Sequence, residues 1–432
     1  MKKSKKHGKS SAVKKRKTTK KPTKTVYSTA RQLVQWIPVG LIGKLAHQFK
    51  LNIRKFSAVS HVVALLIGQL TGVGCLNHIV DMARVHSGEW TRIRGAQPPK
   101  RNTFSNANRT RNPEMAEALY WQVFYNLIAT SPTFNCGRKH RKFLSRFKAS
   151  IHAIDSSTIK LALNSIGWAR HRAKKAAAKL HLRLDVGSRL PAFAVVEEAS
   201  HHDSKRASAL CAGLKADDIL LGDRAYVDFD FLNDLRLRGI HFVLRLKKNI
   251  KVRTVRKLPL GKPAKRGCKG VIRDRQVKLV KSDTRAQYPE VFRAVTARVE
   301  VNGKLVEMEF ITDNMEWSAW TVAELYRARW EIETFFKELK QTCQISDFVG
   351  YNEKAVRWQV WIGLLAHLLL RFQAHISKWG LSFSRLAGVV RHALWVRRNI
   401  NELLEFCGMA GGLARDGTQG KPLYLQGEFI LA

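Results

Sequence analysis

The sequence predicts an α/β fold: a core with a sheet carries a β-rich insertion along the chain, with helices before and after it. Three observations support this prediction. Helical periodicity dominates residues 33–130, alternating strand-like runs begin near Arg146, and a second set of alternating runs fills residues 250–312. With 432 residues, 45% of them hydrophobic, the chain can bury a sizeable core and still carry appended segments.

The charge of the chain is strongly unbalanced, since 77 Lys and Arg residues oppose 33 Asp and Glu residues and give a formal charge of +44. Residues 1–24 hold twelve of the basic residues and no acid, so most of the excess lies in the rest of the chain. Such an excess indicates a polyanionic partner, with nucleic acid as the first candidate. The longest apolar run, near Val360–Leu370, is interrupted by His367 and falls short of the roughly 20 residues that a membrane span needs. We therefore expect a DNA-binding protein without a membrane segment.

Two segments are predicted before the sheet. Residues 1–25 are expected to form a disordered basic arm, because few apolar residues are available there to offset the entropy of ordering. Residues 26–135 are expected to form a helical domain, in which Ala58–Leu70 is a strongly apolar helix and another helix starts after Asn112. The polar and basic stretch after Thr103 suits a DNA-binding module, and an ordinary helical bundle is the alternative.

The next segment carries the elements of the predicted sheet. Three strand-like runs come first: Ala149–Asp155, Leu180–Val186 and Ala192–Val196. A helix, a strand, a helix and a strand follow them: Ser204–Leu214, Ile219–Leu221, Phe229–Leu237 and Phe242–Leu246. This order is that of a ribonuclease-H-like core. We place the core, together with its insertion, in residues 146–375.

The insertion at residues 250–312 is predicted to be β-rich with a basic surface. It is Val-rich and alternating, it is dense in Lys and Arg, and Asn302-Gly303 is a hairpin signal. The periodicity that follows predicts one long helix over Ser318–Gln341 and then apolar helices. Residues 376–432 are expected to form a C-terminal helical region and tail.

Two aspartates follow apolar strands in the predicted sheet. Asp155 is predicted to end the strand Ile151–Ile154, and Asp223 follows the strand Ile219–Leu221. Phosphodiester chemistry at metal ions needs such hard oxygen ligands to converge from separate elements. Each aspartate taken alone is also an ordinary turn or cap residue. The pair becomes a candidate metal site only with a third acid.

The long helix supplies a third acid. At 100° per residue, four polar residues lie in a stripe about 60° wide at the edge of the apolar face: Tyr326, Arg329, Glu333 and Lys340. Three other acids of the helix point elsewhere and are expected to face solvent: Glu324, Glu331 and Glu338. The stripe predicts a carboxylate held among phosphate-binding groups, and an exposed ladder of ion pairs is the alternative.

These residues resemble a known signature. The spacing of Tyr326, Arg329, Glu333 and Lys340 is similar to the tyrosine–arginine–glutamate–lysine signature of the insertion sequence 4 family of transposases. Asp155 in Ile-Asp-Ser-Ser-Thr and Asp223 in Gly-Asp-Arg-Ala-Tyr resemble the two aspartate motifs of that family. One departure is Ala225, where many relatives have glycine. The resemblance covers residues 33–375.

The resemblance implies a bacterial cut-and-paste DDE transposase, named after its two aspartates and one glutamate. Asp155, Asp223 and Glu333 would be the catalytic residues and the ligands of two Mg²⁺ ions, for which Mn²⁺ can substitute. The enzyme would cleave the ends of its insertion element with metal-activated water and join the 3′-hydroxyl ends to target DNA. The resemblance also implies a homodimer on double-stranded DNA, because two DNA ends must be brought together. It further implies that the protein is in the bacterial cytoplasm and associated with the nucleoid.

Four basic or phenolic side chains are the candidates for DNA contact. In the family, Tyr326, Arg329 and Lys340 would hold phosphates near the transferred end, which agrees with the donors that these side chains offer. Arg224, beside Asp223, is a further candidate from its position alone.

Several other residues have two interpretations. Core packing is the simpler interpretation of Trp317 and Trp320, although the resemblance implies that one of them could stack on an unpaired base. His201-His202-Asp203 could bind a metal, although a helix cap with solvated histidines is the simpler interpretation. The six cysteines lie far apart without a Cys-x-x-Cys pair and are interpreted as reduced thiols.

Two other functions remain open from the sequence. An endonuclease on the same core would cut DNA without joining it. A nonenzymatic DNA-binding protein, such as a catalytically dead descendant, would account for the charge but not for three acids amid so many cations.

Overall fold

The computed structural model describes residues 21–53, 55–136, 143–161, 170–172, 175–198, 203–260, 270–301, 304–342 and 349–409. Residues 1–20 of the predicted basic arm and the tail after residue 409 lie outside the described residues. The same is true of His201, His202 and the predicted hairpin turn at Asn302-Gly303.

The N-terminal part of the chain is helical, as predicted. Its helices are α1 Thr29–Val34, α2 Leu41–Gln48, α3 Ala58–Thr71, α4 Leu76–Val85, α5 Ser87–Arg92, α6 Arg101–Thr110 and α7 Glu114–Thr130. The strongly apolar helix α3 ends at Gly72, whose φ of +73° is a left-handed conformation that glycine adopts without strain. The predicted start of α7 is confirmed, because the Asn112 side chain accepts a hydrogen bond from the backbone N–H of Glu114.

Within the described residues, ten strands then form a single sheet. The strands are β1 Ile151–Leu161, β2 Arg170–Arg172, β3 Lys175–Asp185, β4 Leu190–Glu198, β5 Ile219–Gly222, β6 His241–Arg245, β7 Val252–Lys257, β8 Val271–Leu279, β9 Phe292–Val301 and β10 Lys304–Thr312. Their order is β2-β3-β1-β5-β6-β10-β9-β8-β7, and β4 also pairs with β3. Strands β1, β5 and β6 are parallel, whereas β3 is antiparallel to β1 and to β4.

The predicted order of strands and helices from Arg146 is confirmed. Helix α8, Asp203–Cys211, lies between β4 and β5, and helix α9, Phe229–Leu237, lies between β5 and β6. The short hairpin strand β2 is an addition that the sequence did not predict. Parallel strands joined by helices place the ends of β1 and β5 at one edge of the sheet.

The predicted end of the first strand is wrong. Strand β1 does not stop at Asp155 but continues to Leu161, because its pairing with β3 extends to Leu161 and Ala176. Its other neighbour, β5, is shorter and pairs with it only as far as Ile154. Asp155 is therefore the first residue of β1 that is not paired with a residue of β5.

The insertion is β-rich, as predicted, and it extends the sheet. Its strands β7 to β10 and the short helix α10, Ser282–Gln287, continue the sheet outward from β6. The contact is made by β10, which pairs with β6 through Phe310 and Ile311. The chain therefore leaves β6, builds the outer four strands and returns beside its starting point.

The single long helix predicted over Ser318–Gln341 is also wrong. Two helices occupy this range, α11 Ala319–Ala328 and α12 Trp330–Thr342. At the break, the N–H of Arg329 donates to the carbonyl of Tyr326, and the N–H of Ile332 donates to the carbonyl of Arg329, both at 3.1 Å. These tight three-residue bonds interrupt the regular helix ladder.

Three C-terminal helices complete the described chain: α13 Glu353–Ile376, α14 Phe383–Ala393 and α15 Ile400–Met409. The aromatic segment 358–372 belongs to the core, since Trp358, Trp361 and Phe372 are buried in α13. The buried apolar residues of α13 join those of the N-terminal helices in one continuous core. His61 of α3, for example, packs on Trp358 with ring centroids 4.6 Å apart.

The predicted arm is ordered at its end. The N–H of Thr23 donates to the Glu402 carboxylate at 2.7 Å, and Lys24 forms a bridge with Arg398. Residues 22–25 thus lie against α15 and the segment between α14 and α15, with which they share hydrogen bonds.

Among the described residues, no single helix is long and apolar enough to cross a membrane. The bent pair of α3 and α4, at 100°, passes the same test of length and composition. Cys75, Cys136, Cys211 and Cys407, which the structure describes, are free thiols.

Candidate active site

The register of β1 and β5 brings two aspartates to the same edge. The parallel pair aligns Ile154 with Gly222, so Asp155 and Asp223 are the next residues on adjacent chains. The sequence prediction that Asp223 directly follows a strand is confirmed, since β5 ends at Gly222. The position of each aspartate is thus fixed by the backbone of the sheet.

The first and third carboxylates of the site both lie beside the guanidinium of one arginine. Arg329, which is 5% exposed, lies with its Nη1 atom 3.6 Å from Asp155 Oδ2. Its Nη2 atom donates to Glu333 Oε1 at 2.5 Å. The break between α11 and α12 places Arg329 between these two acids. Glu333 then lies one turn further along α12.

Tyr326 lies beside both the second aspartate, Asp223, and the guanidinium of Arg329. Its hydroxyl donates to Asp223 Oδ1 at 3.4 Å, and its ring stacks on Phe310 of β10 with centroids 4.3 Å apart. The Arg329 guanidinium lies 5.4 Å from the centre of that ring. Burial raises the pKa of Tyr326 to about 12, so the phenol remains a neutral donor. Tyr326, Arg329 and the three acids therefore form one cluster.

Two carboxylates of this cluster, Asp155 and Glu333, have a raised pKa and therefore resist ionisation. Burial raises the pKa of Asp155 to about 7, against the opposing effects of Arg329 and the backbone N–H of Ser156. Burial also raises the pKa of Glu333, again against Arg329 and with Asp223 adding to the rise. A buried carboxylate with like charges nearby is stabilised by a proton or by a cation. The cluster therefore favours uptake of positive charge.

The donor chemistry of the cluster fits a divalent metal. Its three carboxylates are hard oxygen ligands of the kind that Mg²⁺ prefers. In the described part of the chain, however, no three acidic, His or Cys side chains are already grouped as metal ligands. The Arg329 guanidinium lies between two of the carboxylates and provides the positive charge there.

Lys340 and Arg224 lie on elements that also carry the acids. Lys340 is exposed in the last turn of α12, two turns beyond Glu333. Arg224 is exposed at the start of a 3₁₀ turn, Arg224–Tyr226, that directly follows Asp223. Both cations are thus exposed to solvent.

The prediction that three other acids face solvent is wrong. Glu331 is 8% exposed and forms an ion pair with Arg189 in the turn between β3 and β4. Glu338 is paired with Arg371 of α13 and lies 3.3 Å from His367 Nε2. Glu324 lies half-buried, 3.2 Å from Arg327. Helical spacing alone could not reveal these pairs, because the partners of Glu331 and Glu338 come from distant segments.

The two tryptophans after the insertion pack against the protein. Trp320 is 8% exposed, and its indole N–H donates to the carbonyl of Leu260 at 3.2 Å, so core packing is confirmed. Trp317 is half-buried and makes edge contacts with Phe147 and His241. Asp203 begins α8, and the adjacent histidines lie outside the described residues.

Comparison with known proteins finds transposases that are similar to this chain. A putative transposase of Sinorhizobium fredii is 27% identical over 61% of this chain and 72% of its own length. A probable transposase of insertion sequence element IS5377 from Geobacillus stearothermophilus is 28% identical over 62% of this chain and 70% of its own. The transposase of insertion sequence element IS4 from Escherichia coli is 29% identical over 50% of each chain.

A family model agrees with these relatives. The model of the transposase DDE domain matches residues 146–369, more than half of the chain. The matched range contains Asp155, Asp223 and Glu333. The resemblance to the insertion sequence 4 transposases is thereby confirmed, and the chain belongs to the DDE transposase family.

Proposed function

We propose that this protein binds the ends of its insertion element, cleaves phosphodiester bonds there and joins the 3′-hydroxyl ends to target DNA. The observation that carries the proposal is the cluster of Asp155, Asp223 and Glu333 around Arg329. Carboxylates in a strongly basic protein repel a phosphate unless a cation intervenes. Their grouping at one edge of the sheet is therefore best explained by metal-dependent chemistry on DNA.

Asp155, Asp223 and Glu333 would hold two Mg²⁺ ions, with Mn²⁺ as a substitute. When bound, the metal lowers the pKa of water and so supplies a nucleophile at neutral pH. The chain's own residues hold and orient the DNA. Arg329 offers a bidentate fork to a phosphate, Tyr326 a neutral O–H donor, and Lys340 and Arg224 exposed positive charge.

The catalytic domain, residues 146–375, is proposed to have a ribonuclease-H-like core. The support for this is the mixed order of β4, β3, β1, β5 and β6, with helices α8 and α9 in the parallel connections. The helices of residues 26–135 are proposed as a DNA-binding domain, and residues 376–432 as a C-terminal region. We propose a homodimer on double-stranded DNA, because joining requires two ends in one complex.

The test is a cleavage and joining reaction with purified protein, DNA carrying the element's own ends and a target plasmid. Wild-type protein should give cleaved and joined products only with Mg²⁺ or Mn²⁺. Glu333→Gln should lose both products, by about 10³-fold or more if metal binding is broken. Glu324→Gln is the matched control, since it changes a half-buried glutamate of α11 outside the cluster.

The other outcomes separate the alternatives. Metal-dependent cleavage without joining would assign an endonuclease. Tight DNA binding without metal-dependent chemistry in the wild type would leave a DNA-binding protein and contradict the proposal.

A further inference from the structure

The rotation of α12 about its own axis is not set by α11, although α11 directly precedes it. The two helices are separated at Arg329, where two three-residue hydrogen bonds replace the regular ladder. A turn of this kind advances about 120° per residue, whereas an α-helix advances about 100°. Tyr326 of α11 and Glu333 of α12 therefore do not share one continuous helix. A contact outside the two helices is needed to fix the direction of the Glu333 side chain.

An ion pair lies directly after the break. Glu331, in the first turn of α12, is 8% exposed and pairs with the guanidinium of Arg189. Glu331 and Glu333 are two residues apart and therefore project about 200° apart around the helix. When Glu331 is held on one side of α12, Glu333 is directed to the other side. The partners of the Glu333 cluster, Asp155 and Arg329, lie on that other side.

Arg189 has a backbone conformation that most residues avoid. Its φ is +59°, in the left-handed region that favours glycine. It lies in the turn between β3 and β4, where its N–H donates to the carbonyl of Asp185 at 2.8 Å. The Asp185 carboxylate also accepts hydrogen bonds from the N–H and the hydroxyl of Ser188, at 2.6 and 2.7 Å. The turn is thus well bonded, and an arginine occupies a position where glycine would be less strained.

The side chain of Arg189 offers a reason for this strained position. Backbone strain persists where surrounding contacts compensate for it, and such positions are concentrated at functional sites. The Arg189 side chain is 19% exposed and contacts Glu331. The turn that carries it follows β3, and β3 pairs with β1 through Leu182 and Asp155. The Arg189–Glu331 pair therefore connects the strands at the first acid of the cluster with the helix that carries the third.

We propose that Arg189 is a positioning residue that sets the rotation of α12 and so places the Glu333 carboxylate beside Asp155, and this inference rests on the proposed function. The end of a side chain lies about 6 Å from the helix axis, so a rotation of about 20° displaces it by about 2 Å. Metal–ligand distances tolerate deviations of only about 0.2 Å. Loss of the pair with Glu331 therefore weakens the metal site without removing any of its ligands.

The decisive variant is Arg189→Gly, in the full-length protein. Glycine adopts the left-handed conformation of this turn without strain, so the variant should fold and melt close to the temperature of wild type. Calorimetric titration with Mn²⁺ should show binding that is about ten-fold weaker than in wild type. Loss of one positive charge would by itself strengthen the binding of a cation. The expected change therefore has the opposite sign to a simple charge effect.

Two further variants complete the comparison. Lys378→Gly is the matched control, because Lys378 is exposed, has a φ of +52° and carries the same charge as Arg189. It should bind Mn²⁺ within about two-fold of wild type. Glu331→Gln should weaken Mn²⁺ binding as Arg189→Gly does. The double variant should bind no more weakly than the weaker single variant, since both changes break the same contact.

The positioning role is overturned if Arg189→Gly binds Mn²⁺ as tightly as wild type. This holds even if its melting temperature falls, because the pair with Glu331 would then only stabilise the fold. The role is also overturned if Lys378→Gly weakens Mn²⁺ binding equally. If wild type binds no Mn²⁺ and gives no metal-dependent cleavage, the proposed function fails and not the positioning role alone.

Discussion

Arg329 occupies the centre of the carboxylate cluster and is almost completely buried. Burial would lower the pKa of its guanidinium, but the acidic groups around it outweigh that effect and raise the pKa above its ordinary range. Arg329 is therefore a fixed positive charge. We expect a divalent cation to compete with Arg329 for the carboxylates of Asp155 and Glu333. Once these carboxylates bind metal, we expect a DNA phosphate to become the partner of the Arg329 guanidinium.

Asp155 should make the metal-free protein less stable as pH rises. Its pKa is about 7 in the folded protein and about 3.9 in an unfolded chain. Between these values the unfolded chain is ionised while the folded protein keeps the proton, so the free energy of unfolding decreases with rising pH and is lowest above about pH 7. Asp155→Asn should raise the melting temperature in EDTA at about pH 8 and change it little near pH 4.

Thermal unfolding at several pH values measures this effect. We expect a gain of roughly 1–2 kcal/mol at high pH, discounted because the Asp155 side chain is 23% exposed. Asp283→Asn, at an exposed position of α10, is the control. A gain that is equal at both ends of the pH range would mean that ionisation of Asp155 is not its cause.

Helix α12 is fixed at both of its ends by ion pairs. Glu331 in the first turn is paired with Arg189 of the turn after β3, and Glu338 near the last turn is paired with Arg371 of α13. Glu333 lies between these two anchors. The position of the third acid relative to the sheet thus depends on pairs that are themselves largely buried.

Glu331→Gln should weaken the attachment of α12. The change leaves Arg189, which is 19% exposed, without its charged partner, and we expect a loss of about 1–3 kcal/mol in the free energy of unfolding. Urea unfolding measures this loss. Asp81→Asn in α4 is the control, because Asp81 and its partner Arg84 are 65% and 72% exposed and such pairs contribute about 0.5 kcal/mol or less. Equal losses in the two variants would contradict the anchoring role.

The charge of the whole molecule should dominate its affinity for DNA. With a formal charge of +44, the affinity should fall steeply with salt, by a slope proportional to the phosphates that are neutralised. Residues 1–20 contain ten Lys and Arg residues and no acid. Deleting them should reduce that slope while leaving the melting temperature and the metal-dependent cleavage of bound DNA in place.

Fluorescence anisotropy over a series of salt concentrations measures the slope for both forms. A truncated chain with the slope of wild type would show that residues 1–20 contact no phosphate. A flat salt response in wild type would contradict DNA binding altogether.

The sequence by itself determined the local elements and the composition of the cluster. The apolar periodicity of α3, the cap at Asn112 and the strand before Asp223 depend on residues close together in the chain, so their patterns were readable. The spacing of Tyr326, Arg329, Glu333 and Lys340 was readable for the same reason. The family followed from these motifs, and the domain limits that we drew from the same patterns stay a prediction.

Only the tertiary structure decided the features that depend on distant partners. Strand β1 runs past Asp155 because β3 continues beside it, and the insertion joins the sheet because β10 pairs with β6. Glu331 is buried because Arg189 meets it from another element. The pairing of a strand and the burial of a side chain depend on the segment that packs against them. The sequence pattern within one segment does not show which distant segment that is.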